Sequence, residues 1–233
     1  WDDYTFKRKS FDSKFVELVN AHDALLVNGA VTMNAFRRSM RNTGMRFDLP
    51  LSLWADITRP IVFYGISYRC WPFQDYPNKK ELAEAIRFAI SQEHIYFGVR
   101  NDGTKEWIRD RLGIDSERIY EVPDPGLFVP HSSENYPELH PTRKNVLVAF
   151  NGEDAPYRFA TWFERLVLGV GQYLINPAKL ERLVARIGMY KIERRRVIRE
   201  LATAVERIAA AEDVQVVLVP HYLDDYGMIQ EFI

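Results

Sequence analysis

Residues 96–130 read YFGVRNDGTKEWIRDRLGIDSERIYEVPDPGLFVP, and this run sets the pattern for the rest of the chain. Residues 95–99 are apolar and predict a short buried strand, which Arg100 follows directly. A polar turn comes next, and the spacing of the apolar residues after it predicts a helix that ends at Gly113. Residues 119–122 predict a second strand.

A strand, a helix and a strand at this spacing predict a βαβ unit with parallel strands and a right-handed crossover. Asp102 or Thr104 is the expected N-cap of the helix. Arg100 then lies where a strand ends and a helix begins, at the edge where open α/β sheets bind ligands and helix N-termini attract anions. Arg100 is therefore a candidate anion-binding residue, and the alternative is an ordinary surface arginine at a strand end.

The composition is that of a globular protein with one large or two modest domains. The chain has 233 residues, of which 47% are hydrophobic and 27% charged. With 31 basic and 32 acidic residues it has no net field to attract nucleic acid, so a nucleic-acid partner is not expected. The single cysteine, Cys70, excludes an intrachain disulfide and a multi-cysteine metal site, and it fits a reducing cytoplasm. No metal site is predicted.

The sequence contains no apolar run long enough to span a bilayer and opens with no signal peptide. It begins at Trp1, so we expect that the natural N-terminus is missing.

Further strands and helices repeat the pattern of the central unit at steps of roughly forty residues. Residues 24–27 predict a strand that turns at Gly29, and residues 61–67 predict another strand that contains Gly65. A helix is expected over residues 79–92. This rhythm predicts a Rossmann-like sheet, and glycines at strand ends allow close approach of the backbone to a ligand.

The composition changes after Phe128. Residues 131–145 are rich in proline and predict a linker, after which residues 146–150 predict a buried strand. Residues 161–211 are helical in pattern, and residues 214–219 predict the last strand. The arginines at 194–199 interleave with glutamates and indicate a solvated helix face.

Several of these motifs resemble those of the polysaccharide pyruvyl transferase family. The run V-R-N-x-G-T, followed by L-G-I and V-P-D-P, is similar to the signature stretch of that family, with Asn101 where the family has aspartate. The N-G-E-D-A-P-Y-R-F run at 151–159 and the strand ending in Pro220-His221 resemble parts of its second domain. The opening Asn-x-Gly-Asp turn and the Arg-x-His motif of the family are missing, so the resemblance implies a family member truncated at both ends.

The resemblance implies an α/β fold with two Rossmann-like domains in the GT-B arrangement. The N-terminal domain would comprise residues 1–130, the linker residues 131–145, and an incomplete second domain with a helical insertion residues 146–233. In the GT-B arrangement the carboxyl ends of the strands of the two domains face each other.

The resemblance also implies an activity. Family members transfer the enolpyruvyl group of phosphoenolpyruvate to a saccharide, usually as a cyclic ketal, and need no cofactor beyond this donor. The acceptor would be a saccharide or lipid-linked saccharide, and the protein would be cytoplasmic or peripheral at the inner membrane face. Two other functions stay open, a nucleotide-sugar glycosyltransferase of the same architecture and a non-catalytic carbohydrate-binding or assembly module.

The resemblance assigns roles to seven residues. Arginine suits an anionic donor because its planar fork binds two oxygens and stays charged, and a histidine or carboxyl group with a tuned pKa is the usual proton donor. The candidate catalytic residues are His221 and Asp154. Which group is the acid stays open at this point, and the Arg-x-His motif that is missing from this sequence is the alternative source of the essential histidine. The implied substrate-binding residues are Arg100, Asn151, Arg158, Gly29 and Gly65. For Asn151 a plain Asn-Gly turn remains the alternative.

Overall fold

The computed structural model of the protein describes residues 11–29, 31–35, 40–71, 73–128, 139–140, 142–151, 155–175, 177–220 and 225–233. The chain forms two compact units, Trp1–Pro130 and His131–Ile233. Each unit contains a parallel sheet with helices in its connections, so the predicted α/β class is confirmed.

The first unit is built on five parallel strands. The strands are β1 Leu25–Asn28, β2 Val31–Asn34, β3 Ile61–Arg69, β4 Ile95–Arg100 and β5 Ile119–Val122. The helices are α1 Ser13–Asn20, α2 Leu51–Trp54, α3 Lys79–Ser91 and α4 Thr104–Leu112, and a 3-10 turn covers Pro125–Phe128. The order in the sheet is β1-β3-β4-β5, and β2 also pairs with β3.

The core of this unit lies against the two central strands. Phe63 of β3 and Phe97 of β4 are fully buried, and their ring centroids are 5.2 Å apart. Trp54 stacks on Phe63 at 5.7 Å. Helix α3 buries Leu82 and Ile86 on one face, as its apolar spacing predicts. Residues 65–67 of β3 and 97–99 of β4 are buried without interruption, so both faces of the sheet are covered along these parts of the strands.

The predicted βαβ unit is present as β4, α4 and β5. The two strands are parallel, with Arg100 opposite Val122, and Gly113 ends the helix in the left-handed conformation. The expected N-cap was wrong. Gly103, at φ 85°, occupies that position and has no side chain that could cap the helix, while the Asp102 carboxylate accepts the Thr104 hydroxyl.

Two short strands, β1 and β2, lie one after the other along the same side of β3 and form an interrupted edge strand. β1 pairs with the first half of β3 and β2 with the second half, and the pairing lapses between Asn28 and Val31. Gly29 and Gly65, at φ 150° and 61°, lie on opposite sides of this gap. The β3–β4 register also shifts, between Phe63 and Ile66. The positive φ values explain why glycine occupies both positions. Strand β2 was not predicted.

The second unit has a two-stranded parallel sheet and a helical segment between its strands. The strands are β6 Lys144–Ala149 and β7 Val214–Val219, paired from Lys144 opposite Val214 to Ala149 opposite Val219. The helices are α5 Ala155–Arg158, α6 Trp162–Leu174, α7 Pro177–Ile187, α8 Tyr190–Ala211 and α9 Asp225–Phe232. Both strands and the helical content of residues 161–211 were predicted.

Identifiable local interactions divide that helical stretch into three helices. Thr161 and Glu164 form a capping box at the start of α6. The fully buried Glu164 carboxylate also accepts the backbone N–H of Tyr190, which joins the start of α8 to the start of α6. Gly188 ends α7 at φ 71°.

Of the segments that the structure describes, none forms a helix both long and apolar enough to cross a membrane. Most of the predicted linker, residues 131–138 and 141, lies outside the described residues.

Candidate functional site

Arg100 is the last residue of β4, at the carboxyl edge of the first unit's sheet. Strands lie on both sides of it, because β4 pairs with β3 and with β5. Its side chain is 26% exposed, so the guanidinium is held by the sheet and still reaches the surface. This is the position expected from the sequence.

Three side chains from three segments contact the guanidinium. Nε donates to Asp102 Oδ2 at 2.8 Å, one terminal nitrogen donates to Asp124 Oδ2 at 3.0 Å, and the other to Ser67 Oγ at 3.5 Å. Asp102 follows β4, Asp124 follows β5, and Ser67 lies on β3, so the ends of three neighbouring strands meet at Arg100. We call these four residues the Arg100 cluster.

Both carboxylates of the Arg100 cluster are themselves held in place. Asp124 Oδ1 accepts the backbone N–H of Gly126 at 2.9 Å, which closes the turn after β5. Asp102 Oδ1 accepts the hydroxyl of the buried Thr104. The acids are therefore oriented toward Arg100 by local structure as well as by charge.

The electrostatics of the Arg100 cluster are those of a paired cation. Burial alone would lower the pKa of Arg100, but hydrogen bonds to Asp102 and Asp124 and their charges raise it. The Gly126 N–H and the Arg100 guanidinium lower the pKa of Asp124. One cation and two carboxylates carry a formal charge of −1. One N–H of each terminal nitrogen of Arg100 has no partner among the residues that the structure describes.

An aromatic pair lies beside the Arg100 cluster. Tyr68 of β3 and Trp107 of α4 stack with ring centroids 4.7 Å apart and planes 15° from parallel. Burial raises the pKa of Tyr68, and the charge of Asp102 raises it further. Burial also raises the pKa of the neighbouring Cys70 thiol to about 11. Both groups are therefore neutral at physiological pH.

The two predicted glycines lie in the same half of the sheet as the Arg100 cluster. Gly65 is two residues before Ser67 on β3 and is buried, and Gly29 faces it across the gap in the edge strand. Their backbone conformations account for glycine without any ligand. A substrate-binding role for Gly29 and Gly65 stays a prediction.

The remaining predicted site residues belong to the second unit. Asn151 is exposed just after β6 and Phe150, and Arg158 is exposed at the end of α5. Arg158 lines a groove of about 530 Å³ together with Arg165 and Trp162. His221 and Asp154 lie outside the described residues. The substrate-binding roles of Asn151 and Arg158 and the catalytic roles of His221 and Asp154 stay predictions.

The sequence did not reveal the partners of Arg100. Asp124 lies 24 residues from Arg100, and Ser67 lies 33 residues from it. Only the parallel pairing of β3, β4 and β5 brings them together. A usable signal was present, since polar residues that follow adjacent parallel strands meet at one edge of the sheet.

The fold and this cluster define an α/β protein with an arginine site at the carboxyl edge of a parallel sheet. A family model for polysaccharide pyruvyl transferase matches residues 1–233, and the chain belongs to this family. The resemblance inferred from the motifs is confirmed, and membership of this family supports a pyruvyl transferase of polysaccharide biosynthesis. Searches among curated proteins and among solved structures found no match.

Proposed function

We propose that the protein transfers the pyruvyl group of phosphoenolpyruvate to a saccharide of a surface polysaccharide and leaves it there as a ketal. The assignment of phosphoenolpyruvate as the donor rests on Arg100. This residue lies at the carboxyl edge of the sheet, where such sheets bind ligands, and within the family's signature stretch. Phosphoenolpyruvate carries a phosphate and a carboxylate, and an arginine fork is suited to both.

The proposed reaction balances without an external oxidant, reductant or cofactor. A proton is added to the methylene carbon of the donor, and a sugar hydroxyl attacks the adjacent carbon and loses its proton. Phosphate then leaves with the electrons of its C–O bond. A second hydroxyl attacks the same carbon to close the ketal and gives up its proton, which the released phosphate can accept. Cation and dipole groups near the donor would stabilise the charge that develops in these steps.

Donor binding at Arg100 has to overcome competition from the protein's own carboxylates. We propose that an oxygen of the donor replaces Asp124, whose side chain is 48% exposed, while Asp102, 30% exposed, keeps its contact. Asp124 would keep its bond from the Gly126 N–H after it moves away. The exchange swaps one anion for another at the guanidinium, so no unpaired cation is left in either state.

The proton donor of the reaction has to be another group. The lowered pKa of Asp124 keeps this carboxyl deprotonated at neutral pH, so Asp124 cannot deliver a proton there. We propose His221 as the general acid, with Asp154 beside it and with Asn151 and Arg158 binding substrate. Replacement of His221 with asparagine should then abolish turnover and leave the affinity for phosphoenolpyruvate unchanged.

We further propose that the two units adopt the GT-B arrangement. We also propose a cytoplasmic location, because phosphoenolpyruvate is made in the cytoplasm. The parallel sheet in each unit supports this architecture. If phosphoenolpyruvate protects residues 131–145 from protease, the proposed arrangement would be supported, since a ligand bound between two domains slows their separation.

Release of inorganic phosphate from phosphoenolpyruvate tests the function. The expected result is phosphate release that requires a saccharide acceptor and persists in EDTA, with a pyruvyl ketal found on the product by mass spectrometry. Release of a nucleoside diphosphate from a nucleotide sugar would indicate the glycosyltransferase instead. Saccharide binding with no turnover of either donor would indicate a binding module.

A further inference from the structure

Helix α6 of the second unit is apolar on two opposite faces. Its inner face is closely packed, because a Cβ added at Gly171 would lie 2.5 Å from Leu180 of α7. Leu168 on the same face is 1% exposed. A helix at the surface of a globular protein normally turns a polar face outward, so the outer face of α6 needs a separate explanation.

That outer face carries six large apolar side chains. At 100° per residue they fall within a sector of 120°, opposite the buried face. Trp162 is 77% exposed, Leu166 56%, and Leu174 79%. The six residues, which we call the α6 outer face, are Trp162, Phe163, Leu166, Val170, Tyr173 and Leu174. The helix has 13 residues, so the face is about 20 Å long at 1.5 Å per residue.

The groove at the start of α6 extends this face and adds cations. Its walls include Trp162, Ile192 and Val197, and Arg158 and Arg165 lie at the same groove. Ile192 of α8 is 68% exposed. Glu193 also lines the groove, so two arginines face one carboxylate there.

The stretch of sequence that contains α6 is rich in basic residues, although Arg194 and Arg196 within it are ion-paired with Glu231 and Glu200. Residues 155–200 contain ten basic and four acidic residues, a net charge of +6 in a chain whose total is −1. The one acidic residue on α6, Glu164, is fully buried in its capping box. None of the six residues of the α6 outer face carries a carboxylate, and the groove that continues the face contains Arg158 and Arg165 beside Glu193.

We propose that the α6 outer face docks on an anionic lipid surface. Interfacial helices lie in the plane of the membrane with aromatic and aliphatic residues in the acyl boundary and with Lys and Arg near the headgroups. Trp and Tyr favour this boundary, because one end of each ring system is apolar and the other polar. The two arginines at the adjoining groove, Arg158 and Arg165, favour this surface over an apolar protein partner, since anionic lipids attract clustered basic residues.

Lipid docking does not depend on phosphoenolpyruvate being the donor, because lipid binding needs no turnover. If the proposed function also holds, docking would bring the second unit to the membrane where a lipid-linked acceptor lies.

Flotation of the full chain with vesicles tests the proposal. Vesicles of phosphatidylcholine with about 30% phosphatidylglycerol should carry the protein to the top of the gradient, and pure phosphatidylcholine should carry much less. Binding should weaken between 0.1 and 0.5 M salt, to about the level of neutral vesicles. The double variant Leu166→Gln/Val170→Gln should bind anionic vesicles at least roughly tenfold more weakly.

Ile208→Gln is the matched control. Ile208 is 43% exposed on α8, sixteen residues or about 24 Å beyond Ile192, and its variant should bind like the parent. Because all three positions are partly exposed, the variants should keep the parent's circular dichroism and unfolding temperature. Failure to float, or equal binding of parent and double variant, would overturn the proposal. Self-association that the double variant removes, without vesicle binding, would assign the face to a second copy of the chain.

Discussion

At the scale of single residues, the electrostatics of the site depend on one guanidinium that two carboxylates share. Arg100 is bound by Asp102 and Asp124, so its affinity for a substrate anion is a difference between two sets of charge-assisted hydrogen bonds. The cluster has a formal charge of −1 before any ligand arrives. Substitutions at the cation and at its acids should therefore change anion affinity in opposite directions.

Arg100→Ala should weaken phosphoenolpyruvate binding strongly. Loss of a charge-assisted hydrogen-bonding group costs about 1.5–3 kcal/mol, which is roughly a ten- to 150-fold loss of affinity. Arg100→Lys should restore only part of it, because a point charge cannot bind two oxygens in one plane. Calorimetric titration of phosphoenolpyruvate into the three proteins measures this.

A second arginine of the same unit serves as the control for that titration. Arg109 is exposed on α4 and pairs with its neighbour Asp110. Arg109→Ala should leave the affinity unchanged. An Arg100→Ala protein that is folded and binds phosphoenolpyruvate as the parent does would remove Arg100 from the site.

Asp124→Asn should have the opposite effect on the same affinity. The amide can still accept the Gly126 N–H, but it no longer competes with the donor as a charge. Removal of one partly exposed charge next to the guanidinium should tighten binding about threefold to tenfold at low salt. The gain should shrink at 0.5 M salt because exposed charges are screened. Weaker binding by this variant would show that Asp124 supports the donor site instead of competing for it.

Cys70 should react slowly with thiol reagents. Its pKa of about 11, against an ordinary 9.0, lowers the thiolate fraction at pH 8 about 100-fold. Since Cys70 is the chain's single cysteine, the rate of iodoacetamide labelling of the native protein reports it alone. In the native protein the labelling rate should keep rising up to about pH 11. In denaturant the labelling rate of Cys70 should equal that of a free thiol. A plateau near pH 9 in the native protein would contradict the prediction.

At the scale of elements, the close approach of β3 and β4 makes Gly98 sensitive to substitution. A Cβ at Gly98 would lie 2.8 Å from the carbonyl oxygen of Phe63, a backbone atom that cannot rotate away. Gly98→Ala should therefore lower the free energy of unfolding by about 1–3 kcal/mol, as overpacking does. Chemical denaturation followed by circular dichroism measures the loss.

The same substitution at Gly227 is the control. Gly227 lies in α9, and an added Cβ there meets nothing within 4 Å. Gly227→Ala should be neutral or stabilise the protein by up to about 1 kcal/mol, since alanine favours helix. If the two substitutions change the free energy of unfolding equally, the close spacing of β3 and β4 is not the reason for glycine at position 98.

The elements that the sequence predicted are those whose signals are local. The strand of residues 119–122 and the final strand of residues 214–219 have the predicted bounds, because each is a short stretch rich in β-branched or aromatic residues between polar turns. Strand β2 escaped prediction, since its four residues gain their structure from pairing with β3. The contacts of Arg100 with Asp124 and Ser67 were hidden for the same reason, as they depend on sheet order.

At the scale of the whole molecule, the family was recognisable because its motifs follow strands that the sequence also predicts. Val99 and Arg100 of the V-R-N run end β4, and Asn151 of the N-G run comes two residues after β6, so each motif lies at a carboxyl strand end. The α6 outer face was not recognised, because an apolar helix pattern in a sequence does not tell which side is covered. Only the packing of α6 on α7 distinguishes the two sides.

The two compact units should separate under limited proteolysis. The proline-rich composition of residues 131–145 predicts a connector, and it contains Glu134 and Glu138 as sites for a glutamate-specific protease. Brief digestion should yield fragments that end at these residues, identified by intact-mass spectrometry, before any cut in the β4–α4–β5 unit. Elements within a folded unit resist cleavage because their backbone is hydrogen-bonded and buried. First cuts at Glu81 of α3 or Glu121 of β5 would show that the boundary between independently stable parts lies elsewhere.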